Sequence, residues 1–152
     1  MRYLLIDRII DYQSGQRIRG VKNVAMSEDF LEYHFPRNPV MPGVLLLEAM
    51  VQLAGWLQCA STGFTQWVVV ETVQKCRFYG FALPGDQVEI AVDVVADITP
   101  EDQKIVFKAT GTVLGQKKVS AEFSGVIIPL AEIADRDEQQ RQFRLMMRDM
   151  GL

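Results

Sequence analysis

The chain has 152 residues, of which 49% are hydrophobic and 23% charged, so it can bury one core of ordinary globular composition. Its net charge of −3 argues against a nucleic-acid-binding protein, because such proteins usually carry a basic excess. The N-terminus lacks the features of a signal peptide, and no apolar run reaches the length of a membrane span. Cys59 and Cys76 have neither metal-ligand nor redox spacing, which favours reduced thiols in a cytoplasmic protein without a metal site.

The first half of the chain predicts a hairpin followed by a helix. Residues 3–12 are β-compatible, residues 14–16 are typical of a turn, and residues 17–26 alternate apolar with polar side chains. Residues 34–41 contain too much proline for regular structure. Pro42 is well placed as the first residue of a helix that continues to about Ala60. Its apolar residues occupy every face, which is typical of a buried helix.

The second half changes to the periodicity of strands. Residues 67–78, 86–98, 103–115 and 117–129 resemble long strands, separated by turns at residues 84–86, 99–102 and 115–116. We predict an α+β fold in which a curved antiparallel sheet wraps around one central helix. From about Glu132 a surface amphipathic helix is expected, with its apolar residues at helical spacing. These are Phe143, Met146, Met147 and Met150.

Three features near the start of the central helix could carry chemistry. Glu48 lies two turns into an apolar helix, with only Gln52 as a polar neighbour on its face. A buried glutamate that is neutral or hydrogen-bonded suits a general acid. The alternative is a structural glutamate that pairs with an arginine across an interface. His34, the only histidine, suits a general base, although a lone histidine is more often structural.

Pro42 and Gly43 provide the third feature. Proline has no N–H, so Gly43 offers the first free amide of the helix, and its missing side chain would let a ligand approach closely. Such an amide can hold a carbonyl that becomes an oxyanion, but Pro-Gly would equally serve as a simple helix start. Together, a base, an acid and an oxyanion donor suit removal of a proton beside a carbonyl with loss of a hydroxyl.

The stretch HFPRNPVMPGVLLLEAMVQLAG resembles the signature of the 3-hydroxyacyl-[acyl-carrier-protein] dehydratases of bacterial type II fatty-acid synthesis, and the similarity covers roughly residues 3–128. This resemblance implies a hotdog fold over residues 1–130, with residues 131–152 as a helical extension. It implies dehydration of (3R)-3-hydroxyacyl thioesters to trans-2-enoyl thioesters, without a cofactor. The catalytic residues would be His34 and Glu48, the carbonyl-binding amide would be Gly43, and Gln52 would orient the acid.

The resemblance also implies partners. The family forms dimers with active sites shared between subunits, often assembled further into hexamers as trimers of dimers. The thioester would arrive on the phosphopantetheine of an acyl carrier protein or on coenzyme A. An acidic carrier would need a local basic patch on this chain. The candidates are Arg37, Lys75, Arg77, Lys117 and Lys118.

Two departures from the family pattern suggest a divergent member, serving fatty-acid synthesis or a specialised lipid or polyketide pathway. Arg37 stands where the family usually has glycine. It is either an exposed residue in a turn or a contact for the phosphopantetheine phosphate. The family's His-Arg-x-Pro-Phe stretch before the first strand is scarcely kept, and the tail helix could take its place. The alternatives are a hotdog thioesterase and a catalytically silent hotdog subunit that binds acyl carriers.

Overall fold

In the computed structural model, one antiparallel sheet curves around one long helix. Residues 3–98, 101 and 103–148 are described. The strands are β1 (Arg8–Gln13), β2 (Arg17–Asn23), β3 (Gln66–Phe78), β4 (Gln87–Ile98), β5 (Lys104–Val113) and β6 (Gln116–Pro129). The helices are α1 (Gly43–Ser61) and α2 (Arg136–Met147), with short 3-10 turns at Asp29–Glu32 and Leu130–Glu132.

The six described strands lie in the order β1-β2-β4-β5-β6-β3, and every neighbouring pair is antiparallel. The inner face of the sheet packs on α1 through side chains that are almost wholly buried, among them Met50, Leu53 and Phe107. The predicted hotdog architecture is therefore confirmed. Strands β1 and β3 form the two edges of the sheet, and the 13-residue β3 directly follows the helix.

The central helix begins one residue later than predicted. Pro42 has an extended backbone, with ψ of 130°, and caps the helix instead of forming its first turn. Its carbonyl accepts hydrogen bonds from the N–H groups of Leu45 at 3.0 Å and Leu46 at 3.4 Å. Among the described helices, α1 is long and apolar enough to cross a membrane, but 56% of its apolar 18-residue stretch is buried inside the protein. This burial is what a core helix requires.

A close contact joins the middle of α1 to the start of β3. A Cβ placed on Gly55 would lie 2.2 Å from Cζ2 of Trp67, so the indole occupies the space that any larger residue at position 55 would need. Trp56 meets the same indole edge to face, with 5.4 Å between ring centroids. The absence of a side chain at Gly55 is therefore a packing requirement of this fold.

The C-terminal segment returns across the molecule. Asp135 caps α2 by accepting a hydrogen bond from the Glu138 N–H at 2.9 Å, so the helix starts later than the expected position near Glu132. Phe143 contacts the rings of Tyr12, Trp56 and Phe64, with centroids 5.6 to 6.0 Å apart. Met146 is buried and Met147 packs on the core. Met150 and most of the predicted turn at residues 99–102 lie outside the described residues.

Candidate active site

His34 is held by a pair of contacts with Val40. The His34 carbonyl accepts the Val40 N–H at 2.8 Å, and the imidazole Nδ1 lies 3.0 Å from the Val40 carbonyl. Since a carbonyl can only accept, Nδ1 donates this hydrogen bond, and Nε2 is the ring nitrogen that has the lone pair in the neutral form. The ring is half-buried and stacks on Phe35 with 4.2 Å between centroids. This arrangement presents Nε2 as a base.

A tight turn directly follows His34. The Asn38 N–H donates to the Phe35 carbonyl at 2.9 Å, Pro36 occupies the second position, and Arg37 occupies the third with φ of 70°. Proline followed by a positive φ is typical of a type II turn, whose third position favours glycine. Arg37 is exposed and adopts the left-handed conformation that glycine reaches at little cost. The exposed-turn interpretation of Arg37 agrees with this geometry.

The amide at the start of α1 is free, as the sequence predicts. Among the residues that the structure describes, neither the Gly43 nor the Val44 N–H has a hydrogen-bond partner. A Cβ on Gly43 would lie 2.6 Å from Cε1 of Phe78, at the end of β3. The missing side chain therefore makes room for the Phe78 ring. No local pattern in the sequence indicates this aromatic neighbour, because Phe78 lies 35 residues from Gly43 on another element.

Glu48 differs from its prediction. It was expected to be buried, but within one chain its side chain is exposed on α1, one turn after Val44, which is 68% exposed. The physical reason is that the sheet covers only one side of α1, so the helix is not enclosed on every face. The carboxylate is open to a substrate or to a second subunit.

Gln52 connects this carboxylate to the N-terminal segment. Its side-chain N–H group donates to the Glu48 carboxylate at 3.0 Å and to the Tyr3 carbonyl at 2.8 Å. Its side-chain oxygen accepts the Leu5 N–H at 3.0 Å. The predicted pairing of Gln52 with Glu48 is thus present. Residues 3–7, predicted as part of a strand, are instead fixed partly by this side chain, and β1 begins only at Arg8.

Apart from Arg37, the predicted basic residues lie where β3 and β6 run side by side. Arg77 is opposite Ser120, and Lys75 is opposite Glu122. Nearby, the Tyr79 hydroxyl lies 3.2 Å from Ser120 Oγ, and this hydrogen bond, with Lys117 and Arg77 close by, lowers the pKa of Tyr79. Lys117 Nζ lies 5.5 Å from the centre of the Tyr79 ring. Because Phe78 reaches Gly43, this end of the sheet adjoins the helix start.

Within one chain, the site is divided. Gly43, Glu48 and Gln52 share α1, while His34 belongs to the preceding loop. No hydrogen bond or ion pair joins His34 to Glu48 in the described residues. Those residues also contain no group of three or more potential metal ligands.

Comparison with known proteins places these residues in a family. The family model described as "FabA-like domain" matches residues 1–129. The chain belongs to the FabA-like family. Its curated relatives include a 3-hydroxyacyl-[acyl-carrier-protein] dehydratase FabZ of Ruegeria sp., 34% identical and aligned over 82% of this chain and 79% of the relative. The FabZ of Hydrogenobaculum sp. is 38% identical, over 78% and 79% respectively.

Solved structures agree on the fold. The structure of smu.793 from Streptococcus mutans bound to acetyl CoA superposes with a TM-score of 0.66 at 18% identity, and covers 85% of this chain and 94% of that one. At this identity the likeness concerns the fold alone. The FabA-like match ends at residue 129, where β6 also ends, so α2 lies outside it.

Proposed function

We infer that this FabA-like chain is a hydro-lyase that dehydrates (3R)-3-hydroxyacyl thioesters on acyl carrier protein to trans-2-enoyl thioesters in fatty-acid biosynthesis. The single observation that carries the mechanism is the contact of His34 Nδ1 with the Val40 carbonyl, because it leaves Nε2 as a base. Membership of the family, together with relatives that are curated as dehydratases, favours this activity over thioester hydrolysis or a silent subunit.

In the proposed mechanism, His34 Nε2 removes the α-proton while the Gly43 N–H holds the thioester oxygen as negative charge develops there. Glu48 donates a proton to the β-hydroxyl, which leaves as water, and the α,β double bond forms. Gln52 positions the Glu48 carboxyl for this transfer. The thioester itself acidifies the α-proton, so we propose that the reaction needs neither a metal nor another cofactor.

We propose that His34 and Glu48 meet across a homodimer. Strand β3 supports this arrangement, since it is a long sheet edge with exposed apolar side chains at Val69, Val73 and Phe78. The exposed face of α1 that carries Glu48 would then meet the partner's His34 loop. Three such dimers would build the hexamer that the resemblance implies.

The basic residues at the β3–β6 end are proposed to receive the acidic carrier protein. This group consists of Lys75 and Arg77 on β3 and Lys117 and Lys118 on β6. It lies near the end of β3, where Phe78 contacts Gly43. Exposed Arg37 remains a second candidate for the phosphopantetheine phosphate. We place the enzyme in the cytoplasm, which agrees with the two free thiols, Cys59 and Cys76.

We further propose that residues 1–130 are the hotdog dehydratase unit and residues 131–152 its C-terminal helical extension. The arrangement of the elements supports this division. The sheet ends at Pro129, and α2 then packs back on the core through Phe143 and Met146.

The test is hydration of a crotonyl thioester by His34→Ala and Glu48→Ala variants. Each is expected to lose activity by about 10² to 10⁴-fold, the usual contribution of a positioned acid or base. Glu132→Ala, which removes an exposed carboxylate elsewhere, serves as the control. Near wild-type hydration by a folded His34→Ala or Glu48→Ala protein would contradict the role given to that residue. Release of free thiol from acyl-CoA would instead identify a thioesterase.

A further inference from the structure

A cavity of about 370 Å³ lies between the dehydratase core and the C-terminal extension. On one side it is lined by Gln52, Trp56 and Trp67 of the core. On the other side it is lined by Leu130, the last residue of the core, and by Ile133 and Ala134 of the extension. Most of these side chains are apolar. The volume is at the small end of the range of about 300 to 1,000 Å³ that ligand pockets occupy.

The cavity adjoins the candidate active site through one side chain, Gln52. Gln52 lines it, and the same side chain donates a hydrogen bond to Glu48. A thioester whose β-hydroxyl faces Glu48 therefore has an apolar space one helical turn further along α1. The part of the substrate that matches such a space is its acyl chain.

An aromatic pair, Trp56 and Trp67, forms part of the wall of this space. Trp67 fills the position of the missing Gly55 side chain, and Trp56 packs against it edge to face. Trp56 also contacts Phe143 of α2, with 6.0 Å between centroids. Trp56 is consequently held between Trp67 and α2, and Trp67 is held against α1.

The extension supplies the opposite wall. Ile133 and Ala134 belong to the extension and Leu130 directly precedes it, and all three lie beyond residue 129, where the FabA-like match ends. The Leu130 N–H donates to the Thr65 carbonyl at 2.8 Å, which fixes the start of this wall beside β3. The wall therefore belongs to a part of the chain outside the FabA-like match.

We propose that the C-terminal extension and the Trp56–Trp67 pair together form the acyl-chain pocket, and that they restrict the enzyme to aliphatic chains of short to medium length. This proposal rests on the proposed dehydratase function. It assigns Ala134 and Trp67 as specificity-determining residues, and it gives the extension a part in substrate selection.

The first test narrows the pocket. Ala134→Trp inserts an indole into the lining, whereas Ala131→Trp adds the same indole to an exposed position of the same segment. With four-carbon and eight-carbon substrates, Ala134→Trp should lower kcat/KM for the longer chain about tenfold and leave the shorter one within about twofold. Ala131→Trp should leave kcat/KM for both substrates unchanged. An unchanged chain-length ratio in Ala134→Trp would overturn the proposal.

The second test widens the pocket and keeps the proposal falsifiable if Ala134→Trp fails to fold. Trp67→Leu removes the indole from the cavity wall, so kcat/KM for a twelve-carbon substrate should rise at least about tenfold relative to the four-carbon one. A loss of activity at all lengths in equal proportion, with an unchanged melting temperature, would contradict the assigned role.

A binding measurement separates this proposal from the dehydratase function. The chain's two tryptophans, Trp56 and Trp67, both line the cavity, so their fluorescence reports its occupation. S-Octyl pantetheine, a thioether that cannot react, should change the emission of the wild type and of Ala131→Trp, and should bind Ala134→Trp at least about tenfold more weakly. Binding of this kind without hydration of any substrate would refute the enzyme and keep the pocket. Hydration without any chain-length effect or fluorescence change would support the dehydratase function and refute the acyl-chain pocket.

Discussion

The Gln52 side chain donates a hydrogen bond to the Glu48 carboxylate at 3.0 Å, across one turn of α1. Its orientation is determined by the main chain of the N-terminal segment, which offers it one acceptor at Tyr3 and one donor at Leu5. An amide that met both groups the other way round would lose both bonds. The N-terminal segment therefore fixes which atom of Gln52 faces the candidate catalytic acid.

We predict that Gln52→Leu lowers kcat for hydration by about 10- to 100-fold with a smaller effect on KM, because the acid loses its alignment with the substrate. The matched control is Gln58→Leu, which removes a glutamine of the same helix that bonds to Gln66 at 2.9 Å. Steady-state kinetics on both variants provides the measurement. Equal losses of kcat would show that Gln52 has only a structural role.

Two inactive variants should restore each other if the active site is shared. When His34→Ala and Glu48→Ala chains are co-expressed and paired at random, about half the dimers are mixed, and each contains one intact site. Activity should then reach about a quarter of the wild-type value. Size-exclusion chromatography with light scattering establishes that dimers form. If each site lay within one chain, the mixture would remain inactive.

Arg37→Gly should stabilise the protein. A residue with a side chain loses about 1 to 2 kcal/mol in the left-handed conformation that Arg37 adopts, with φ of 70°. Glycine avoids this cost but loses part of the gain, because its unfolded chain is more flexible. A net gain of roughly 0.5 to 1 kcal/mol in the free energy of unfolding is expected from urea titration.

The control Arg37→Ala removes the same guanidinium but keeps the left-handed backbone, so it should not be stabilised. If Arg37 contacts the phosphopantetheine phosphate, both variants will raise KM for coenzyme A and carrier-protein substrates. Equal stability of the Gly and Ala variants would contradict the assigned turn.

The buried thiol of Cys59 should make stability fall at alkaline pH. Burial raises its pKa from near 9.0 to about 11, so between these values the native state keeps a proton that the unfolded chain has released. The unfolded state binds fewer protons, and the free energy of unfolding decreases by roughly 1.4 kcal/mol per pH unit over this window. Below pH 9 the contribution is fully present.

Cys59→Ala removes this titration. Cys76→Ala provides the control, because it removes the other free thiol, which is only half-buried. Denaturant unfolding at a series of pH values, expressed as the difference between wild type and each variant, isolates the thiol from other alkaline groups. A pH-independent difference for Cys59→Ala would contradict the prediction.

The sequence predicted the elements whose cause is local. The proline-free run of helix formers defined α1 to within one residue at each end, and turn residues such as Pro84 and Gly85 separated the strands. The hotdog arrangement followed from one buried helix among six strands.

What the sequence did not predict depends mostly on contacts between distant segments. The exposure of Glu48 follows from how far the sheet curves, which no periodicity encodes. The Phe78 ring beside Gly43 and the binding of residues 3–5 by Gln52 each join distant parts of the chain with no shared pattern. The bond of His34 to Val40 is local, but it lies in an irregular loop that has no periodicity to indicate it. Aromatic residues of the FYGF stretch at 78–81 were the only available hint of the contact between Phe78 and Gly43.

The contact between Gly55 and Trp67 has a consequence for the history of this chain. Because the indole stands 2.2 Å from where a Cβ at position 55 would be, alanine cannot appear there while the indole is kept in place. A smaller residue at position 67 would leave room for alanine but would also open the cavity beside it. Residues 55 and 67 are therefore expected to change together among related sequences. Such a paired change should accompany a change in the length of the acyl chain that the enzyme accepts.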